Sequence, residues 1–505
     1  MLDKSLEDKL NDSSNDSSGQ QGLEPLQNQS RQLGANFNKN TAPKQGLMSN
    51  AVGFWHAVLL GFSHTAPAAD VASLLVGVAL VAYGTMPLAV MLGVLLYFAV
   101  ANTNYWYSKN VASAGGYFSF ISHGLGARAS IYGAWFQQFY ELYTYALFGS
   151  LGFATTLYLY FPYLSSIPYL WIGFFLIPQV TTFLLAYRGI RPSLSYVLYT
   201  GSAEAAFLII ASLIIIAKLG SNNTLSVFTL SPVKGSITAL FFGVLFATDA
   251  MTGAVSSVSL GEEVTDPKKN LPKVFIMSVF LGGIVLIIAS YALTVGWGVS
   301  NMSTFGNYAN PGQIVFFKYL GPIGGYILAL FIMNSYFSCG VAGMTDLSRM
   351  WYKMGQQGVL FPKSFGEVHP KYRSPYKAIL WLFIVSSIVA IVAGIALGPL
   401  NATISLAITS TVSWFFVKVA TSIGLPFFAK RKLGKVNAIY HVIIPAVVVV
   451  AALITLYSTF VPLPTGSLFY GAALVPVYVV IGVIWIEYFA RKNPQIIANM
   501  QKGVE

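Results

Sequence analysis

Hydrophobic stretches of roughly 20 residues recur along the chain, each long enough to cross about 30 Å of hydrocarbon. About twelve such spans can be read, beginning near residues 50, 86, 128, 168, 192, 237, 272, 324, 376, 401, 437 and 467. The first, from about Val52 to Val81, is interrupted by Gly61-Phe62-Ser63-His64-Thr65-Ala66-Pro67. Lipid offers no hydrogen-bond partners, so a spanning helix must satisfy its backbone internally. Glycine loosens that ladder and proline removes a donor, which is tolerable only where the freed groups meet protein, water or a ligand. The sixth span, Phe241 to Ser257, is likewise small, polar and glycine-punctuated around Thr252-Gly253-Ala254. Paired interruptions in corresponding spans point to a transporter binding site. The two are five spans apart, which predicts a five-plus-five inverted repeat with discontinuous spans one and six, followed by two further helices.

At 505 residues, 55% hydrophobic and 9% charged, the composition excludes an ordinary soluble domain. The net charge of +12 is distributed asymmetrically. With the N-terminus inside, the inner loops collect Arg188, Arg191, Lys268, Lys269, Arg349, Lys353 and others. The outer loops hold only Lys218, Lys234 and Lys318. This is the positive-inside pattern, so the basicity reads as topogenic rather than as a nucleic-acid surface, and both termini are expected in the cytoplasm of a cell-membrane protein. Residues 1–45, rich in Ser, Asn and Gln, read as a disordered cytoplasmic tail. Residues 46–430 form the expected transporter core, 431–490 the last two helices and 491–505 a cytoplasmic C-terminal tail. Cys339 is the single cysteine and the histidines are scattered, so no metal site and no cofactor are expected.

The helical rise of 1.5 Å per residue places Ser63, Glu141, Glu204 and Asp249 each about 18–20 Å into their spans. An ionisable residue at the bilayer centre costs roughly 3 kcal/mol and faces a bundle interior or a water-filled cavity. No lysine or arginine is expected near these carboxyls; Lys418 lies near the inner end of span ten and is long enough to snorkel outwards. Proton coupling or a cationic substrate group follows as an expectation, with Glu204 and Asp249 as proton-coupling candidates. The substrate-site candidates are Gly61, Ser63, His64, Thr65, Ala66, Tyr140, Glu141, Asp249, Thr252 and Gly253. Tyr143 is a further wall candidate, and Asp70 is read equally as a vestibule or capping residue and as a site residue. Asn334, Ser335 and Ser338 could supply a sodium ligand beside the first break, a less favoured reading than a proton.

Two loops sharpen this picture. After span six comes Leu260-Gly261-Glu262-Glu263-Val264-Thr265-Asp266-Pro267-Lys268-Lys269-Asn270-Leu271-Pro272. After span eight comes Ser348-Arg349-Met350-Trp351-Tyr352-Lys353-Met354, continuing through Gly358, Leu360 and Pro362. Together with Ala114-Gly115-Gly116-Tyr117, these segments resemble the amino acid–polyamine–organocation permeases. The loops themselves read as structural, with Glu262 and Glu263 pairing nearby lysines. The resemblance implies the five-plus-five fold, substrate between unwound spans one and six, and transport of an amino acid or related amine by alternating access. It places Gly253 on the family's span-six glycine. The chain departs from the family's usual G-[SA]-G-I-F run at Gly61 to Pro67, and Ala254-Val255 stands where many members carry an aromatic and an acidic residue. The partners expected are therefore a small amino acid or amine, a proton and the lipid bilayer, with oligomeric state open. Rival readings are an exchanger without ion coupling and a transporter-like sensor. An enzyme is the least expected, since no nucleophile–base set is visible.

Overall fold

The computed structural model describes residues 46–72, 74–308 and 310–502. The expected tail of residues 1–45 lies outside the described residues. Among those described, ten helices are long and apolar enough to cross a membrane. They correspond to spans two and four to twelve of the sequence. The remaining two expected spans are the first and the third, and both fall short for a physical reason. Span one is broken into Phe54–Thr65, Pro67–Ala72 and Leu74–Ala82. Span three carries Gln137, Gln138 and Glu141 at membrane depth and is not uniformly α-helical. It runs as Ala127–Leu142, then a wider π-helical stretch Tyr143–Leu151, then Gly152–Tyr160.

Several boundaries differ from expectation. A short helix, Tyr117–Leu125, precedes span three. It was invisible as an element because it is too brief to cross a bilayer. Span seven starts at Pro267 and runs to Trp297, with Pro272 inside its first turns. Pro267 suits the first helical position, where its missing N–H would have no intrahelical partner. The eighth span belongs to Pro311–Gln357, which bends at Gly321 (φ 70°) before Pro322. The expected C-terminal tail is ordered over Pro494–Lys502 as a helix, and Gln501 Oε1 accepts the Ala127 N–H at the start of span three (3.1 Å).

The buried apolar side chains form two main clusters. One gathers spans one, two, five, six and seven; the other gathers spans three, four and nine with the basic end of span eight. Tyr140 packs in the first and Tyr143 in the second, so Glu141 between them marks the seam. At the basic end of the bundle, Val52 pairs with Val264 in a parallel bridge, through Val52 N–H to Glu263 O (3.0 Å) and Thr265 N–H to Val52 O (3.0 Å). The two discontinuous spans are thereby tied beside the first family-like loop.

Candidate functional site

The interruption in span one is narrower than the sequence suggests. The first helix continues through Gly61 to Thr65, and a single residue, Ala66, adopts the left-handed conformation (φ 53°, ψ 58°) before Pro67 restarts the helix. A left-handed alanine is uncommon and costs energy, and such residues cluster at functional sites. Gly61 therefore lies in regular helix. A Cβ there would come within 2.6 Å of Ala254 O and 2.9 Å of Ser278 Oγ, so Gly61 permits close packing of spans one, six and seven. Ser63, His64 and Thr65 are buried. Thr65 Oγ1 donates to Phe62 O (2.6 Å) and Cys339 Sγ donates to His64 O (3.2 Å), which satisfies two carbonyls beside the break.

Span six is α-helical over Ile237–Asp249, turns at Ala250 and Met251, and continues as a tighter 3₁₀ segment, Thr252–Glu262, kinked at Val255. Gly253 lies against the His64–Thr65 peptide, so the two breaks meet there as expected. Tyr97 of span two donates its hydroxyl to Thr252 O (2.6 Å), capturing a carbonyl at the second break.

The other candidates gather unevenly around this contact. Glu141 Oε2 stands 3.5 Å from His64 Nε2, with both side chains fully buried. Tyr140 stacks on Trp414 (4.1 Å between ring centroids) and lies 5.9 Å from the His64 ring. Tyr143 instead donates to Thr403 O (3.0 Å) on the opposite side. Asp249 has only two long contacts from Thr411 Oγ1, both 3.4 Å. Glu204 accepts three donors: Ala68 N–H (3.0 Å), Ser335 Oγ (2.8 Å) and Asn334 Nδ2 (3.0 Å). It thus ties spans one, five and eight together just beyond the break. Asn334 and Ser335, read from sequence as sodium-ligand candidates, are engaged by this carboxylate. Ser338 donates to Ser335 O (3.2 Å).

Two expectations are corrected. Lys418 does not snorkel: it is 2% exposed, hydrogen-bonded to the Tyr117 hydroxyl, and sits 4.0 Å from the Tyr117 ring centroid and 3.8 Å from that of Trp414. Aromatic faces supply the electrostatic partner that bulk water would otherwise provide. Of the two readings of Asp70, the vestibule one fails: the side chain is fully buried, and among the described residues neither oxygen is hydrogen-bonded. Sequence reasoning also missed Tyr97, Cys339, Asp346 and Trp414. The signal for Asp346 was available, an acid three residues before Arg349, but it reads as part of a loop. A small cavity of about 20 Å³ lies beside Thr252, Tyr97, Trp414 and Lys418.

The loop carboxylates hold the basic end. Glu262 pairs with Lys353 (2.8 Å) as expected of a lysine partner. Glu263 instead meets Arg349, at 2.5 and 3.3 Å, and both are almost fully buried. Arg349, counted in sequence among topogenic charges, is an interior residue joining span eight to the loop after span six.

This bundle of interrupted and continuous spans around a buried polar seam is that of a polytopic α-helical membrane protein. The chain belongs to the amino acid permease family, whose model matches residues 56–498. Among curated proteins, it is 27% identical over 237 residues to the uncharacterized transporter R00093 of Rhizobium meliloti, covering 45% of this chain and 47% of that one. It is 31% identical over 128 residues to the low-affinity putrescine importer PlaP of Escherichia coli, covering 25% and 27%. A further match is the serine/threonine exchanger SteT of Bacillus subtilis, 27% identical over 150 residues, covering 29% and 34%. The matched stretches span about half or less of each relative's length.

Proposed function

We propose that the protein is a secondary transporter that moves an amino acid or related amine across the cell membrane by alternating access, with a proton moving alongside. The observation that carries this reading is the meeting of the two breaks, where Gly253 lies against the His64–Thr65 peptide. Backbone groups there can receive the substrate's charged ends, as interrupted helices do in transporters. The buried carboxyls Glu141 and Glu204 and the partly buried Asp249 supply places for a proton, and no cofactor is invoked. The charge asymmetry favours both termini in the cytoplasm. A relative named as a putrescine importer and another named as a serine/threonine exchanger support the substrate class, amino acid or amine.

Purified protein in liposomes is expected to accumulate a labelled amino acid or polyamine under an inward proton gradient. If one proton moves per neutral substrate, a gradient of one pH unit supports about tenfold accumulation. Uptake that requires only internal substrate and ignores the gradient would favour exchange, the reading that the exchanger relative supports.

Glu204 allows a separate test. A glutamine there would turn an amide nitrogen toward one of three donors, which is expected to cost about 1–3 kcal/mol of stability. Thermal unfolding should show the loss, and Glu204→Gln should lower exchange and gradient-driven uptake in step. Selective flattening of the pH dependence, with substrate affinity kept, would place the coupling proton on Glu204 as the sequence expects.

A further inference from the structure

Glu141 on span three and Asp346 on span eight are both fully buried. Gly343 lets the two helices approach: a Cβ there would stand 3.1 Å from Glu141 O and 3.2 Å from Thr144 Cγ2. The loosened backbone Tyr143–Leu151 begins two residues after Glu141, and such stretches are frequent at functional sites. Gln137, one turn before Glu141 on span three, reaches Asp346 Oδ2 (3.4 Å), so the two carboxyls lie on the facing sides of this close approach. Among the described residues, neither Glu141 oxygen nor Asp346 Oδ1 receives a hydrogen bond, and Asp346 Oδ2 has only Gln137 Nε2 at 3.4 Å.

Ionised carboxylates are acceptors only, so two facing each other in a buried site repel unless a proton joins them. The surrounding groups do not remove this requirement. Lys418 of span ten supplies one positive charge, shared with the rings of Tyr117 and Trp414. Arg349, one turn along span eight, is engaged by Glu263. Ser259 of span six faces Asp346, and His64 of span one faces Glu141 at 3.5 Å with both ring nitrogens lacking a hydrogen bond. One cation against two carboxyls leaves room for one proton between them.

We propose that Glu141 and Asp346 form an acid pair holding one shared proton, balanced by Lys418, and that this is the proton the transport cycle takes up and releases. The inference rests on the proton-coupled reading above and names where that proton sits. On release, the carboxyl O–H bond breaks, the proton passes to water, and two carboxylates remain facing Lys418. On reloading, the reverse occurs. His64 connects the pair to the residue pivot at Ala66, so a rearrangement of span one changes what faces Glu141.

The proton can be observed without transport. Infrared spectra of purified wild-type protein at neutral pH should show a protonated-carboxyl C=O band. Glu141→Gln and Asp346→Asn should each remove the same component of this band, leaving any contribution from Asp70 and Asp249, and Glu204→Gln should leave that component in place. A band absent from the wild type, or unchanged in both variants of the pair, would overturn the proposal; Asp346→Glu, keeping the acid, should restore it. In vesicles, the ratio of gradient-driven accumulation to substrate counterflow should fall about tenfold in Asp346→Asn, the whole gain expected for one proton at one pH unit. An unchanged ratio would place the transported proton elsewhere. Wild-type vesicles that exchange substrate but never accumulate it under the gradient would remove the coupling reading, while the infrared band would still decide whether the pair shares a proton.

Discussion

Arg349→Met is expected to destabilise the protein by about 3–5 kcal/mol, because it leaves the Glu263 carboxylate buried without its cation. Arg349 and Glu263 are each 1% exposed, and the guanidinium reaches both carboxylate oxygens (2.5 and 3.3 Å). The same arginine also donates to Thr345 O (3.1 Å) and Ser348 Oγ (3.3 Å), so its removal takes further hydrogen bonds from the basic end of span eight. Glu263 sits where span one's entry pairs with the loop after span six, since its carbonyl accepts the Val52 N–H. Loss of the pair should therefore loosen the closure at that end as well as lower the unfolding temperature. The double variant Arg349→Met/Glu263→Gln is expected to recover much of the loss, because replacing both charges removes the unpaired one. Thermal unfolding in detergent measures this cycle. Equal destabilisation in the single and double variants would mean that the ion pair is not the source of the effect.

Gly253→Ala is expected to lower transport on the order of 100-fold while leaving the protein folded in the membrane, since small displacements of a binding geometry carry costs of that size. An added Cβ would collide with the His64 carbonyl and approach Thr65 N to 2.6 Å. These are backbone atoms, so neither can rotate away, and the two breaks must separate. Gly173→Ala provides the control, because nothing lies within 4 Å of a Cβ at that position. Uptake normalised to protein in the membrane is the readout. Near wild-type uptake by Gly253→Ala would show that the contact between the breaks is not needed for transport.

The broad architecture was legible because hydrophobicity sets spans and glycine and proline mark where a helix yields. That logic found both breaks, the five-span separation and the loops that carry the family resemblance. It overestimated the first break, since Gly61 looks like a helix breaker in sequence but serves close packing. The residue that departs from helix, Ala66, is marked only by Pro67 after it, which disfavours the right-handed helical region for the preceding residue; that the departure is left-handed and confined to one residue is not legible in sequence. Lys418 misled for a related reason. A lysine ten residues from the end of a span reads as one that reaches out to the headgroups, whereas Tyr117 and Trp414 hold it inside. Arg349 was read by position alone, as one more basic residue near a loop. Its partner lies 86 residues away, a separation that no local pattern reveals. Glu204 was found by depth, but its capture by the Ala68 N–H and the amide and hydroxyl of span eight depends on three helices meeting.

The central claim, that substrate is held where spans one and six part, is tested most directly by a structure of the protein solved with its transported substrate bound. The account predicts ligand density between the His64–Thr65 peptide and Thr252–Gly253, close to Tyr97, Tyr140 and Asp249. Density confined to another region of the bundle, with the contact between the two breaks unchanged, would contradict it.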